Sequence, residues 1–114
     1  MRIQEIAGLI NAKILNPALN MSRGVEYAFS SDLMSDVLTR DYEQTILITG
    51  LSNLQAIRTA EMSDINQVII ARGKEVSKEM IELASESDIV LLSCDYSLFK
   101  ISGMLYEAGV KPVF

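Results

Sequence analysis

Three short apolar runs stand at one spacing along this chain: Ile46-Leu47-Ile48-Thr49-Gly50, Val68-Ile69-Ile70-Ala71-Arg72 and Val90-Leu91-Leu92-Ser93-Cys94, each starting 22 residues after the last. Every run is continuous rather than alternating and rich in β-branched residues or leucine. That is the pattern of a strand buried on both faces. The 17 residues between successive runs hold one helix-length amphipathic segment, and parallel neighbours need a crossover of about a dozen residues or more. From Thr45 onward the chain therefore reads β-α-β-α-β-α. The strands at 46–49, 68–71 and 90–93 are expected to be parallel and adjacent, with right-handed crossovers laying helices on the sheet faces. The predicted fold class is α/β, a three-layer sandwich with a mainly parallel sheet. A leucine-rich solenoid can repeat at a similar interval, but its multiple leucine positions and asparagine signature are missing.

The first third of the chain completes this plan. Ile3, Ile6, Ala7 and Ile10 share one helical face, which predicts a helix over 2–11. Lys13-Ile14-Leu15 is a short strand candidate stopped by Asn16-Pro17. Asn20 to Gly24 is loop-like. Val25, Tyr27 and Phe29 alternate with Glu26 and Ala28 as a half-buried edge strand. Ser30, Ser31 and Asp32 offer N-caps to a helix carrying Leu33, Met34, Val37 and Leu38. Thr39 to Gln44 is a charged connection. Later caps are Ser52 or Asn53 before Leu54, Ile57 and Met62, then Ser77, then Asp95 or Ser97 before Leu98, Ile101, Leu105 and Ala108. Val76 and Ile81 stand at the positions of a hydrophobic staple. Gly109 is placed to close the last helix, and Pro112 prevents its continuation. Met62, Met80 and Met104 are expected to fill the core.

Composition narrows the function classes. The 114 residues are expected to form a single domain, 1–114. The net charge of −5 and scattered basic residues argue against a nucleic-acid partner. No apolar run approaches a membrane span, and the start lacks the apolar stretch of a signal peptide, so a cytoplasmic location is expected. The sequence has no histidine and one cysteine, Cys94. That removes histidine-based catalysis and a structural zinc site, and Cys94 reads as a small buried hydrophobe. Asp32 and Asp36 share a helical face but do not by themselves define a Mg²⁺ site. No cofactor is expected.

The strand exits hold the polar residues, and open α/β sheets bind ligands beyond their strand C-termini. The first exit offers Thr49, Gly50, Ser52 and Asn53, whose hydroxyl and amide groups could hold an anion or polar ligand or could simply cap the following helix. The second offers Arg72, Gly73 and Lys74, two cations around a glycine that suit phosphate or carboxylate, or a solvated turn. The third offers Ser93 and Asp95, the latter either a hydroxyl acceptor or a cap. The second exit is not a phosphate-cradling Walker loop. Val68 stands where its first glycine belongs and Glu75 where its hydroxyl residue belongs.

Several separated blocks resemble the DRTGG-domain family. They are Ile48-Thr49-Gly50-Leu51-Ser52-Asn53-Leu54-Gln55-Ala56-Ile57-Arg58-Thr59-Ala60-Glu61-Met62, Arg72-Gly73-Lys74, and Ser97-Leu98-Phe99 with Gly103-x-Leu105-Tyr106-Glu107-Ala108-Gly109. Upstream, Ser31-Asp32-Leu33-Met34-Ser35-Asp36-Val37 fits as well. The resemblance covers nearly the whole chain and extends to the N-terminal domain of HPr serine kinase/phosphorylase. It implies an accessory α/β domain that regulates or dimerises, with catalysis residing in neighbouring modules. The chain departs from the name motif: Ala71-Arg72-Gly73 stands where the pattern carries Thr-Gly-Gly, and Leu51-Ser52-Asn53 where Asp-Arg is expected.

The functional expectation is a non-catalytic regulatory module binding a small anionic or nucleotide-like ligand. Thr49, Gly50, Ser52 and Asn53 would form one wall, Arg72 and Lys74 the charge, and Ser93 and Asp95 the far wall. A homodimeric interaction module without ligand is the alternative, with contacts at Val25, Tyr27, Phe29, Leu33, Met34 and Val37. A phosphate-handling enzyme ranks last.

Overall fold

The structure is a computed structural model that describes residues 1–38 and 43–114. In chain order its elements are α1 (Ile3–Leu9), β1 (Lys13–Ile14), β2 (Tyr27–Ser30), α2 (Met34–Val37), β3 (Thr45–Thr49), α3 (Leu54–Met62), β4 (Gln67–Ile70), α4 (Lys78–Glu86), β5 (Val90–Ser93), α5 (Leu98–Glu107) and β6 (Lys111–Pro112). One six-stranded sheet runs in the order β1-β5-β4-β3-β2-β6. All its pairings are parallel except β1 with β5. The three repeated runs are the adjacent parallel strands β3, β4 and β5, as their spacing predicts. Most of the charged connection expected at 39–44 lies outside the described residues.

The unbroken apolar runs follow from the layering. Successive side chains of a strand point to opposite faces. Leu47, Val68, Ile70 and Leu91 face a core that includes residues of α2, α3 and α4, among them Val37, Ile57, Ala60, Met80 and Ala84. Ile46, Ile48, Ile69, Val90 and Leu92 face the opposite core, built with Ile3, Ile6 and Ile10 and with Ile101 and Leu105 of α5. Each fully buried aliphatic side chain contributes about 1.5–3 kcal/mol, and both faces need them. The chain steps from β2 to β5 in one direction, which puts three helices on one face. It then returns over the sheet to β6 through α5 on the other. This is the distribution that right-handed crossovers dictate.

The expected caps Asn53, Ser77 and Ser97 each accept a backbone N–H three residues on, at 3.0, 3.2 and 3.1 Å. Gly109 takes φ +103 at the end of α5, a conformation that favours glycine. Asn16 is buried, donates its amide to the Ile89 carbonyl at 2.7 Å and accepts the Leu91 N–H at 2.9 Å. It continues along β5 where β1 stops.

Four expectations are corrected. The first helix spans only Ile3–Leu9, because the chain turns at Asn11, where φ is +53. Met62 is exposed rather than packed, since Ala56, Ile57, Thr59 and Ala60 supply the buried residues of α3. The strand at Val25–Phe29 is not an edge: β6 pairs with Tyr27 and Ala28 on its outer side. Val25, Met34 and Val37, expected at a dimer surface, belong to the monomer's own core.

Candidate functional site

The carboxyl ends of β3, β4 and β5 are laced together by their exit loops. The Arg72 N–H donates to the Tyr96 carbonyl at 2.9 Å and the Gly73 N–H to the Cys94 carbonyl at 3.0 Å. The Ser52 hydroxyl donates to the Glu75 carbonyl at 2.5 Å. These bonds require a tight backbone after β4, where Arg72 and Gly73 both take left-handed φ values of +67 and +63. Glycine tolerates this geometry, whereas an L side chain such as that of Arg72 costs roughly 1–2 kcal/mol there. A Cβ at Gly73 would also stand 3.2 Å from the Asp95 carboxylate oxygen.

The Arg72 side chain lies across the first exit. A Cβ built on Gly50 would fall 2.6 Å from the guanidinium carbon and 2.7 Å from Nε. Gly50 is thus what lets the guanidinium rest on the β3 backbone. There it meets a residue expected only as a cap. Asp32, on the loop after β2, accepts the Gly50 N–H at 2.6 Å and the Thr49 hydroxyl at 3.2 Å through Oδ1, and its Oδ2 lies 3.5 Å from Arg72 Nη2. Leu33 occupies the N-cap position of α2 and no side chain caps that helix. Ser31 instead accepts the Leu33 N–H at 3.0 Å. The Asp32 carboxylate is released from capping and bridges the β3 exit to Arg72.

The expected site residues therefore divide. Thr49, Gly50 and Arg72 converge on Asp32, and Gly73 and Asp95 stand against each other. Lys74 and Asp95 are exposed on the neighbouring loops, and Ser93 is half-buried at the end of β5. Asn53 caps α3 through its Oδ1 and is exposed, and the Ser52 hydroxyl donates to the Glu75 carbonyl. The charge expected from Arg72 and Lys74 has acidic neighbours. Asp32 balances Arg72, and Asp95 stands near the same turn. What sequence reasoning missed was the role of Asp32. The available signal was an aspartate directly after a strand exit, with two other candidate caps beside it.

Hollows lie elsewhere among the described residues. One of about 620 Å³ opens at the amino ends of the strands, lined by residues including Arg23, Gln44, Asn66 and Asp88. Its arginine donates to the Asn66 and Asp88 carbonyls at 3.0 and 2.7 Å and pairs with the Asp88 carboxylate at 2.6 Å. A groove of about 330 Å³ lies between α5 and β2–β6, walled by Phe29, Tyr106 and Phe114. The strand exits differ from both in setting a half-exposed guanidinium, Arg72, against a half-exposed carboxylate, Asp32.

No family model and no curated protein matches the chain. Among solved structures it is similar to the CBS and DRTGG domains of the regulatory region of Clostridium perfringens pyrophosphatase, a structure complexed with its activator, diadenosine tetraphosphate. The TM-score is 0.68 at 17% identity, over 91% of this chain and 45% of that one. The chain thus spans less than half of the structure it matches. The likeness establishes a DRTGG-like α/β fold, a six-stranded, mostly parallel sheet between helical layers. No helix among the described residues is long and apolar enough to cross a membrane.

Proposed function

We propose that this chain is a non-catalytic regulatory module that takes a small anionic or nucleotide-like ligand at the carboxyl ends of β3, β4 and β5. One observation carries the reading: the half-exposed Arg72 guanidinium lies over the buried Gly50 at the end of β3 and meets the same Asp32 carboxylate that accepts the Gly50 N–H and the Thr49 hydroxyl. Guanidinium and oriented backbone donors together suit a phosphate or carboxylate. Lys74 adds a second cation on the adjacent loop, and Asp32 and Asp95 supply acceptors for ligand hydroxyl or amino groups. The regulatory setting and nucleotide activator of the similar pyrophosphatase region support the same reading. The sequence resemblance to the N-terminal domain of HPr kinase extends it, and a cytoplasmic setting fits the composition.

A panel of nucleotides and polyphosphates, screened by thermal shift, tests the proposal, because a ligand that binds only the folded state raises its apparent stability. Calorimetry then compares the Arg72→Ala, Lys74→Ala double variant. It should bind at least tenfold more weakly, since one hydrogen bond to a charged group is worth about 1.5–3 kcal/mol. Unchanged affinity would move the site elsewhere. ATP incubated with Mg²⁺ and the protein should remain intact, and turnover abolished by a point change in the chain would refute the non-catalytic reading.

The second reading, a homodimeric interaction module, has an observation of its own. Phe99 is 89% and Tyr106 69% exposed on α5. Gly103 lies between them with nothing near its Cβ position. Exposed aromatic patches of this kind mark interfaces. Sedimentation at micromolar concentration should give a dimer that Phe99→Ser weakens. A 12.6 kDa species throughout would reject it.

A further inference from the structure

The anion slot at the β3 exit already contains an anion. The Gly50 N–H, the Thr49 hydroxyl and the Arg72 guanidinium converge on a single carboxylate, and that carboxylate is the chain's own Asp32. The three contacts are unequal. The backbone bond, at 2.6 Å, is short and charge-assisted. The Arg72 contact, at 3.5 Å, is long and single rather than the bidentate fork that guanidinium and carboxylate form when free to align. Both partners are also open to water, 46% exposed for Arg72 and 41% for Asp32, so the ion pair is screened and weak. The carboxylate is thus anchored on the β3 side and loosely engaged on the arginine side.

We infer that Asp32 is an internal competitor for this slot. It occupies the slot in the resting chain and holds Arg72 in partial neutralisation. An incoming anion must take the guanidinium from it. Asp32 then selects among ligands. An anion that makes only the arginine contact gains little over the carboxylate already present. One that brings a second anionic group for Lys74, or a hydroxyl for the Asp32 oxygens, gains more. Diphosphate and ribose-phosphate groups have that chemistry. The inference deepens the ligand-binding reading and rests on it for its biological meaning.

The test is chemical rescue. In Asp32→Ala the slot is vacated but its donors remain, so sodium formate, a carboxylate small enough to enter, should raise the melting midpoint. The rise should be at least about twice that of the native chain at the same ionic strength held with chloride. It should shrink when Arg72→Ala is added. Equal rises in the native chain and the variant, or no rise in either, overturn the inference. Should Asp32→Ala fail to fold, Asp32→Asn keeps an acceptor for the Gly50 N–H and removes only the charge. Its apparent affinity for inorganic phosphate should exceed that of the native chain by at least about threefold, and equal affinity overturns the inference by this independent route. The two readings fail separately. Formate rescue with flat nucleotide and polyphosphate titrations keeps Asp32 as the occupant and rejects the regulatory-ligand function. Nucleotide binding without rescue keeps that function and removes Asp32 from it.

Discussion

The two ends of the sheet each carry an arginine–aspartate pair, and the pairs do opposite things. At the amino end Arg23 is 12% exposed and donates to two backbone carbonyls as well as to Asp88. It ties the loop before β2 to the turns that precede β4 and β5. At the carboxyl end Arg72 has one long contact to Asp32 and is half in water. Pairing alone does not tell a bolt from a latch. The difference lies in the backbone: Arg23 satisfies carbonyls of other segments, whereas Arg72 only rests on Gly50. A guanidinium bound to carbonyls is structural, and one bound to an exposed carboxylate can be exchanged for another anion.

Stability measurements can break this contrast. Arg23→Ala should have the largest effect, a loss of about 2 kcal/mol, from two hydrogen bonds to a charged group with little from the exposed Asp88. Urea unfolding measures it, and Asp88→Asn should cost well under half as much. Gly73→Ala comes next, at about 1–2 kcal/mol, because an L residue is disfavoured at φ +63 and its methyl would crowd Asp95. Arg72→Ala should change stability by no more than about 0.2–1 kcal/mol, the range for exposed ion pairs. If it costs as much as Arg23→Ala, the carboxyl-end pair is a bolt too, and the β3 exit loses its claim to an exchangeable cation.

The sheet was largely legible because its signal is local and repeated. Continuous apolar runs at a fixed interval admit few foldings, and the caps at Asn53, Ser77 and Ser97 follow from short-range hydrogen bonding. The site was legible only in part. Thr49, Gly50, Arg72 and Asp95 could be placed at strand exits from the spacing alone. The link from Asp32 to Gly50 could not, since it spans 18 residues and depends on β2 lying beside β3. Val25 misled for a related reason. Half-buried alternation looks the same at an edge and one strand inside it, and β6, only Lys111–Pro112, is too short to announce itself. Arg23 gave no signal, because its partners are backbone carbonyls, which carry no residue identity.

Those short outer strands have a consequence for crowded solutions. The sheet is bounded on one side by Lys13–Ile14 and on the other by Lys111–Pro112. Brief borders bearing lysine, and a proline that lacks an amide hydrogen, are how natural sheets refuse a further strand. Asn16 reinforces the first border by binding Ile89 and Leu91 with its side chain. A sheet trimmed in this way offers little template for runaway stacking into fibres, despite its dense Ile and Leu interior. Any association between copies is steered to the helical faces, where contacts can close on themselves and stop.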